Sequence, residues 1–197
     1  MRQLQIEHSY LQPAHQLIVR DIAGKEVYLI KGRWGRKNDT VELFSLSGER
    51  LVRIKQKNLS LFPTFAISLP NHQSGSLRKH PGFFGIQSPY FSVEPFHWLV
   101  TGNFEKRHYQ IRSTKETLMS IQKVATAKGH RYSLFVYTEE YEPLCVAISV
   151  VIDHLTNERQ SKTRTEEDYD LRFGFLNFKL TSPHKISRYR LSSPSLK

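Results

Sequence analysis

The sequence lacks almost every residue pattern that announces a chemistry. It holds one cysteine, Cys145, so no disulfide forms within the chain and no cysteine-based zinc or redox pair exists. Cys145 lies in an apolar run, where a thiol behaves as a small hydrophobe rather than a nucleophile. No Gly-rich phosphate loop, nucleophile elbow or paired-carboxylate pattern occurs. The nine histidines are scattered from His8 to His184 without the paired spacing of a zinc-binding helix. No apolar run approaches the roughly 20 residues that cross a bilayer. No basic, apolar leader opens the chain, where Arg2, Gln3 and Gln5 intervene. The expectation is a cytoplasmic protein that is not an enzyme and takes no cofactor or metal.

Positive charge is abundant. The net charge is +11, and the segment from Thr156 onward carries nine basic against five acidic residues, leaving +7 for the body. Such charge raises affinity for polyanions, including the anionic face of a membrane, and it also serves a plain solvated surface. At 197 residues the chain buries the core of one ordinary domain.

The first 137 residues read as short amphipathic strands separated by turns. Ala23-Gly24 divides QLIVRDI from EVYLIKG, and Ser47-Gly48 divides VELFSL from RLVRIKQ, both hairpin signals. Further strands are expected at Thr64–Leu69, Ser76–Phe84, His97–Gly102, His108–Arg112, Thr117–Val124 and Tyr132–Tyr137. In Leu51–Lys57 the period of two puts Val52 and Ile54 on one face and Arg53, Lys55 and Lys57 on the other. That basic row is either a solvent face that discourages edge pairing or a surface for phosphates.

The segment Pro143–Ile152, PLCVAISVVI, breaks this pattern. Its composition suits a buried strand as well as a helix, and length and ends decide. Glu139, Glu140, Glu142 and Pro143 fit the first turn of a helix, and Leu144, Ala147, Ile148, Val151 and Leu155 recur at helical spacing. Val146, Val150 and Ile152 cover the remaining face, so a helix over 139–157 is apolar all round and requires protein on every side. Only strands are available to supply it. A helix about 10–12 Å across with its side chains is too wide for an eight-stranded barrel and requires about eleven strands or more.

The chain also resembles the LURP-one-related family, in the YxjI-like branch of the Tubby C-terminal-like superfamily, to which phospholipid scramblases are similar in fold. The residues that carry the likeness are Met1-Arg2 with Leu4 and Ile6, Ile22–Tyr28 with Lys31-Gly32, Ser47–Leu51 leading into Ile54–Lys57 and Leu59–Leu61, Val100–Phe104, Tyr109–Ile111, and Ala147–Asp153. The resemblance implies a mainly β fold: a closed antiparallel barrel of about twelve strands around a central hydrophobic helix, over residues 1–157. It implies no reaction, and the related Tubby domain resembles a phosphoinositide-binding module. The stretch NHQSGSLRKHP, 71–81, departs from the family pattern by interrupting a strand pair. Residues 158–197 are a basic and aromatic extension with no acid after Leu171, expected to be partly disordered or packed on the barrel.

The candidate site is a set of cations, Lys31, Arg33, Arg36, Lys37, Arg53, Lys55 and Lys57, joined by the amphipathic Trp34. It suits anionic phospholipid head groups at a membrane surface. The alternative is an interaction scaffold that meets a protein partner through residues 158–197, with no lipid role. A nucleic-acid role is not expected.

Overall fold

The computed structural model describes residues 1–8, 16–33, 39–57, 62–82, 88–126 and 129–156. The chain divides into a compact unit, Met1–Asn157, and a second unit, Glu158–Lys197, which lies outside the described residues. Twelve strands follow one another: β1 (Arg2–His8), β2 (Gln16–Asp21), β3 (Glu26–Arg33), β4 (Thr40–Ser45), β5 (Arg50–Gln56), β6 (Thr64–Ser68), β7 (Ser74–His80), β8 (Tyr90–Glu94), β9 (Trp98–Asn103), β10 (His108–Arg112), β11 (Thr117–Thr126) and β12 (Gly129–Val136). Each pairs antiparallel with the next, and β1 pairs β12 from Arg2↔Val136 to His8↔His130, which closes the barrel. Closure leaves no strand edge to attract another chain.

The strands form where the sequence alternates. Val41 and Leu43 in β4, Val52 and Ile54 in β5, and Tyr109 and Ile111 in β10 point inward and are buried, while Arg53 and Lys55 face out. The two expected Gly hairpins are present, with Gly24 at φ +82° and Gly48 at φ +87°, conformations that favour glycine. Two expectations need correction. The 71–81 stretch does not interrupt a strand pair: a tight turn, in which the Leu69 N–H donates to the Gln73 carbonyl at 2.9 Å, leads straight into β7. β7 is polar because one apolar residue, Leu77, suffices to bury its inward face. The sequence reading also passed over β8, whose five residues offer two inward positions, Phe91 and Val93.

A single 3-10 turn, Glu139–Tyr141, leads into a helix, α1, over residues 142–156. Cys145, Val146, Ala147, Ile148 and Ile152 are completely buried, and Val150 and Val151 nearly so. The polar residue in their midst, Ser149, donates its hydroxyl proton to the Val146 carbonyl at 2.7 Å and so brings no unmet demand into the core. With strands about 4.8 Å apart and tilted by about 40°, twelve give a barrel radius near 12 Å and eight a radius near 8 Å. Helices and sheets pack at about 10 Å, so twelve strands match the helix they surround.

Ile148 sits at the centre of this core. Its replacement by Ala is expected to cost about 2–5 kcal/mol in urea unfolding. A loss below about 1 kcal/mol would place the helix at a surface rather than inside the sheet.

Candidate functional site

Antiparallel order sends every odd-to-even connection to one end of the barrel and every even-to-odd connection to the other. The helix takes its direction from contacts at its two ends. At its C-terminal end Arg107, in the turn between β9 and β10, reaches inward and its Nε donates to Asp153 Oδ1 at 2.9 Å. The same guanidinium donates through Nη1 to the Glu105 carbonyl at 3.0 Å, and Tyr132 hydrogen-bonds the Asp153 carboxylate. Arg107 adopts φ +52°, which turns its side chain into the mouth. One helical step on, His154 Nε2 lies 3.3 Å from Asp39 Oδ2. Asp153 and His154 thus give the helix a polar C-terminal end, the first held by Arg107 and the second set beside Asp39. No sequence signal marked Arg107 as the partner.

At the N-terminal end Glu142 is buried, and its Oε1 accepts from Arg2 Nη1 and from the Tyr28 hydroxyl, each at 2.8 Å. This carboxylate complements the positive end of the helix dipole and pins the first strand to it. Burial and the neighbouring Glu142 charge push the Tyr28 hydroxyl pKa up, and burial followed by Asp153 does the same at Tyr132 and at the fully buried Tyr109.

Inside the barrel, Tyr109, Tyr132, Ser149 and Asp153 border a cavity of about 20 Å³. A volume of this size takes about one water molecule and no substrate. The Tyr109 hydroxyl is itself engaged, donating to the Ser149 carbonyl at 3.2 Å. The buried polar groups are therefore clamps on the helix.

Five of the sequence-selected cations, Lys31, Arg33, Arg53, Lys55 and Lys57, lie on the outer wall and rim at the C-terminal end of α1. Two outward rows cross the neighbouring strands, Lys31–Glu42–Arg53 and Arg33–Thr40–Lys55. Their spacing places Arg33 and Lys55 about 10 Å apart across β4. Lys57 follows β5, and its backbone N–H donates to the Thr64 carbonyl at 2.8 Å. Lys31, Arg33, Lys55 and Lys57 are exposed. Arg53 differs: its Nε is 3.6 Å from Glu42 Oε1, which also accepts from Arg50 at 3.2 Å, so its charge is partly spent within the sheet. Lys31 Nζ stands over the Phe44 ring at 5.1 Å. Trp34, Arg36 and Lys37 lie outside the described residues. Phe62, which the sequence reading did not single out, is 47% exposed at this rim, just before β6. Exposed Lys106 and Lys123 lie at the same end.

The structure is a closed antiparallel barrel of twelve strands threaded by an apolar helix, with charged residues held at the helix ends. The LURP-one-related family model matches residues 2–153, and the chain belongs to that family. It is also 28% identical over 129 residues to the uncharacterized protein YxjI of Bacillus subtilis (strain 168), a stretch covering 66% of this chain and 78% of that protein. No solved structure matches.

Two predictions follow from the clamps. Arg107→Met leaves the Asp153 carboxylate without its cation and is expected to cost about 3–5 kcal/mol, most of it recovered in the double variant Arg107→Met/Asp153→Leu. A single variant as stable as wild type in denaturant titration would show that the pair does not hold the helix. The raised tyrosine pKa values carry a sign as well. A phenol that is harder to ionise folded than unfolded contributes stability that is fully present below the unfolded value of about 10 and is lost as pH rises toward the folded value. Melting temperatures are expected to be flat from pH 8 to about 9.5 and to fall above it, and Tyr28→Phe should make that fall shallower.

Proposed function

We propose that this chain is a binding module without catalytic activity that meets anionic phospholipid head groups through its cationic rim. The observation that carries the reading is the exposed Phe62 ring at the β5–β6 connection, on the same rim as Lys31, Arg33, Lys55 and Lys57. Cations alone suit any polyanion, whereas an apolar ring set among them suits a bilayer interface, where the ring enters the head-group layer and the ammonium groups stay at its surface. Two strand rows at this rim carry three exposed cations, Lys31, Arg33 and Lys55, against the half-buried Glu42, and exposed Lys57 follows them. Each such cation contributes about 1 kcal/mol near an anionic leaflet. The charged outer wall also differs from the apolar band of a barrel that spans a membrane.

Co-sedimentation with vesicles tests the reading. Binding is expected to vesicles of mixed phosphatidylserine and phosphatidylcholine, to weaken with added salt, and to be absent with phosphatidylcholine alone. Lys55→Gln with Lys57→Gln should lower partitioning about 30-fold, as two lost cations imply. Equal binding to neutral vesicles, binding to neither, or an unchanged variant would refute it. The scaffold alternative places the contact in residues 158–197, which are acid-free beyond Leu171. A chain ending at 157 that keeps its vesicle binding places the contact in the barrel, and one that loses it assigns the contact to the extension.

A further inference from the structure

The opposite mouth has a different chemistry. Where α1 enters the barrel, a groove of about 250 Å³ runs between the β6–β7 turn, the β8–β9 turn and the helix start. Its walls include Leu51, Leu69, Phe96, Tyr141 and Pro143, and one carboxylate, Glu140, stands on its lip. The walls are fixed before anything binds. Trp98, buried beneath, packs its ring 4.9 Å from Phe96 and 5.0 Å from Tyr141. Gly75 lets the β8–β9 turn close down, since a Cβ there would lie 2.5 Å from the Glu94 carbonyl oxygen and 3.4 Å from the Phe96 ring.

We propose that this groove binds a peptide segment of a partner protein in which an aliphatic or aromatic residue is flanked by lysine or arginine. Size points to a peptide side chain: pockets for whole small molecules run from about 300 to 1,000 Å³, and this groove falls below them. Charge selects the neighbours of that side chain. Glu139 and Glu140 are exposed and have no ion pair among the described residues. Glu49 and Glu94 are exposed at the same end, where Arg50 is engaged by Glu42 at 3.2 Å, and exposed Lys25 and Lys115 stand on the β2–β3 and β10–β11 turns, which do not line the groove. The helix N-terminus would on its own favour an anion, but the buried Glu142 carboxylate already answers it. The Phe96 and Tyr141 rings add faces on which an arginine or lysine can rest. An anionic membrane is repelled by the same carboxylates, so this mouth and the cationic rim select different partners.

The test uses a random peptide library displayed on phage and panned against the immobilised full chain. Enriched sequences are expected to carry an apolar residue next to Lys or Arg. Their synthetic versions should bind in fluorescence anisotropy and lose about tenfold or more in affinity for Glu140→Lys. Glu116→Lys makes the same change in net charge at an exposed position of the same end and should leave affinity within about twofold. Both substitutions are on exposed side chains and are expected to preserve the fold, with circular dichroism as the check. The proposal is overturned if no sequence is enriched, if the enriched peptides are acidic, if Glu140→Lys binds as well as wild type, or if the two variants lose affinity equally.

Discussion

A helix with no polar face cannot rest on a surface. Residues 144–152 are buried on every side, so the sheet must wrap through a full turn to keep water from them. That requirement sets the number of strands, removes the sheet edges and puts the hydrophobic surface of twelve strands against one rod. It also decides where polar chemistry can stand. The interior cavity bordered by Tyr109, Tyr132, Ser149 and Asp153 has room for about one water, and among the described residues the charged groups that contact the helix do so at the two mouths. There they are paired: Glu142 with Arg2 and Tyr28 at one end, Asp153 with Arg107 and Tyr132 at the other. Each pair spans a large sequence separation, so each ties the last element of the barrel domain to an early or middle hairpin.

The mouths differ in charge along the axis of the helix. Exposed Lys31, Arg33, Lys55, Lys57, Lys106 and Lys123 gather at the C-terminal end of α1 beside Glu105, while Glu26, Glu49, Glu94, Glu116, Glu139 and Glu140 stand exposed at the N-terminal end with Lys25, Arg50, Arg112 and Lys115 among them. Alternating chain direction contributes to this bias, because Lys31, Arg33, Lys55 and Lys123 fall toward the ends of odd-numbered strands while Glu26 and Glu116 stand at or just before the beginnings of β3 and β11. Each sign also complements the nearer pole of the helix dipole. The two proposals assign the two ends to separate tasks, one toward anionic head groups and the other toward a basic partner segment, with no catalysis at either.

Most of the fold was legible. Period-two alternation located eleven of the twelve strands, because each buries one face and repeats its turn chemistry. β8 escaped because five residues with two inward side chains carry little pattern, and β7 was drawn too long because its face holds a single buried apolar residue. The site was legible only in part. Lys31, Arg33, Lys55 and Lys57 are outward as the alternation required, but the Glu42 contact that occupies Arg53 depends on pairing between strands, which a linear reading does not contain. Arg107 was invisible for a similar reason: it stands between polar residues in EKRHY and acquires its role from a left-handed turn that aims it at a carboxylate 46 residues away. Phe62 and the groove around Phe96 and Tyr141 likewise exist only once distant turns are brought together.

Cys145 provides the most direct test of the enclosed helix. It is the one thiol of the chain, it lies in the first turns of α1, and it is completely buried. Burial, with Glu142 nearby, also pushes its pKa up and so further slows its chemistry. Labelling with a thiol reagent can be followed across a urea series and compared with global unfolding of the same sample. The account predicts that Cys145 reacts only through the globally unfolded state, its protection falling with urea at the full unfolding slope. Rapid labelling of the native protein without urea, or protection that does not depend on urea, would contradict a helix sealed inside a closed sheet.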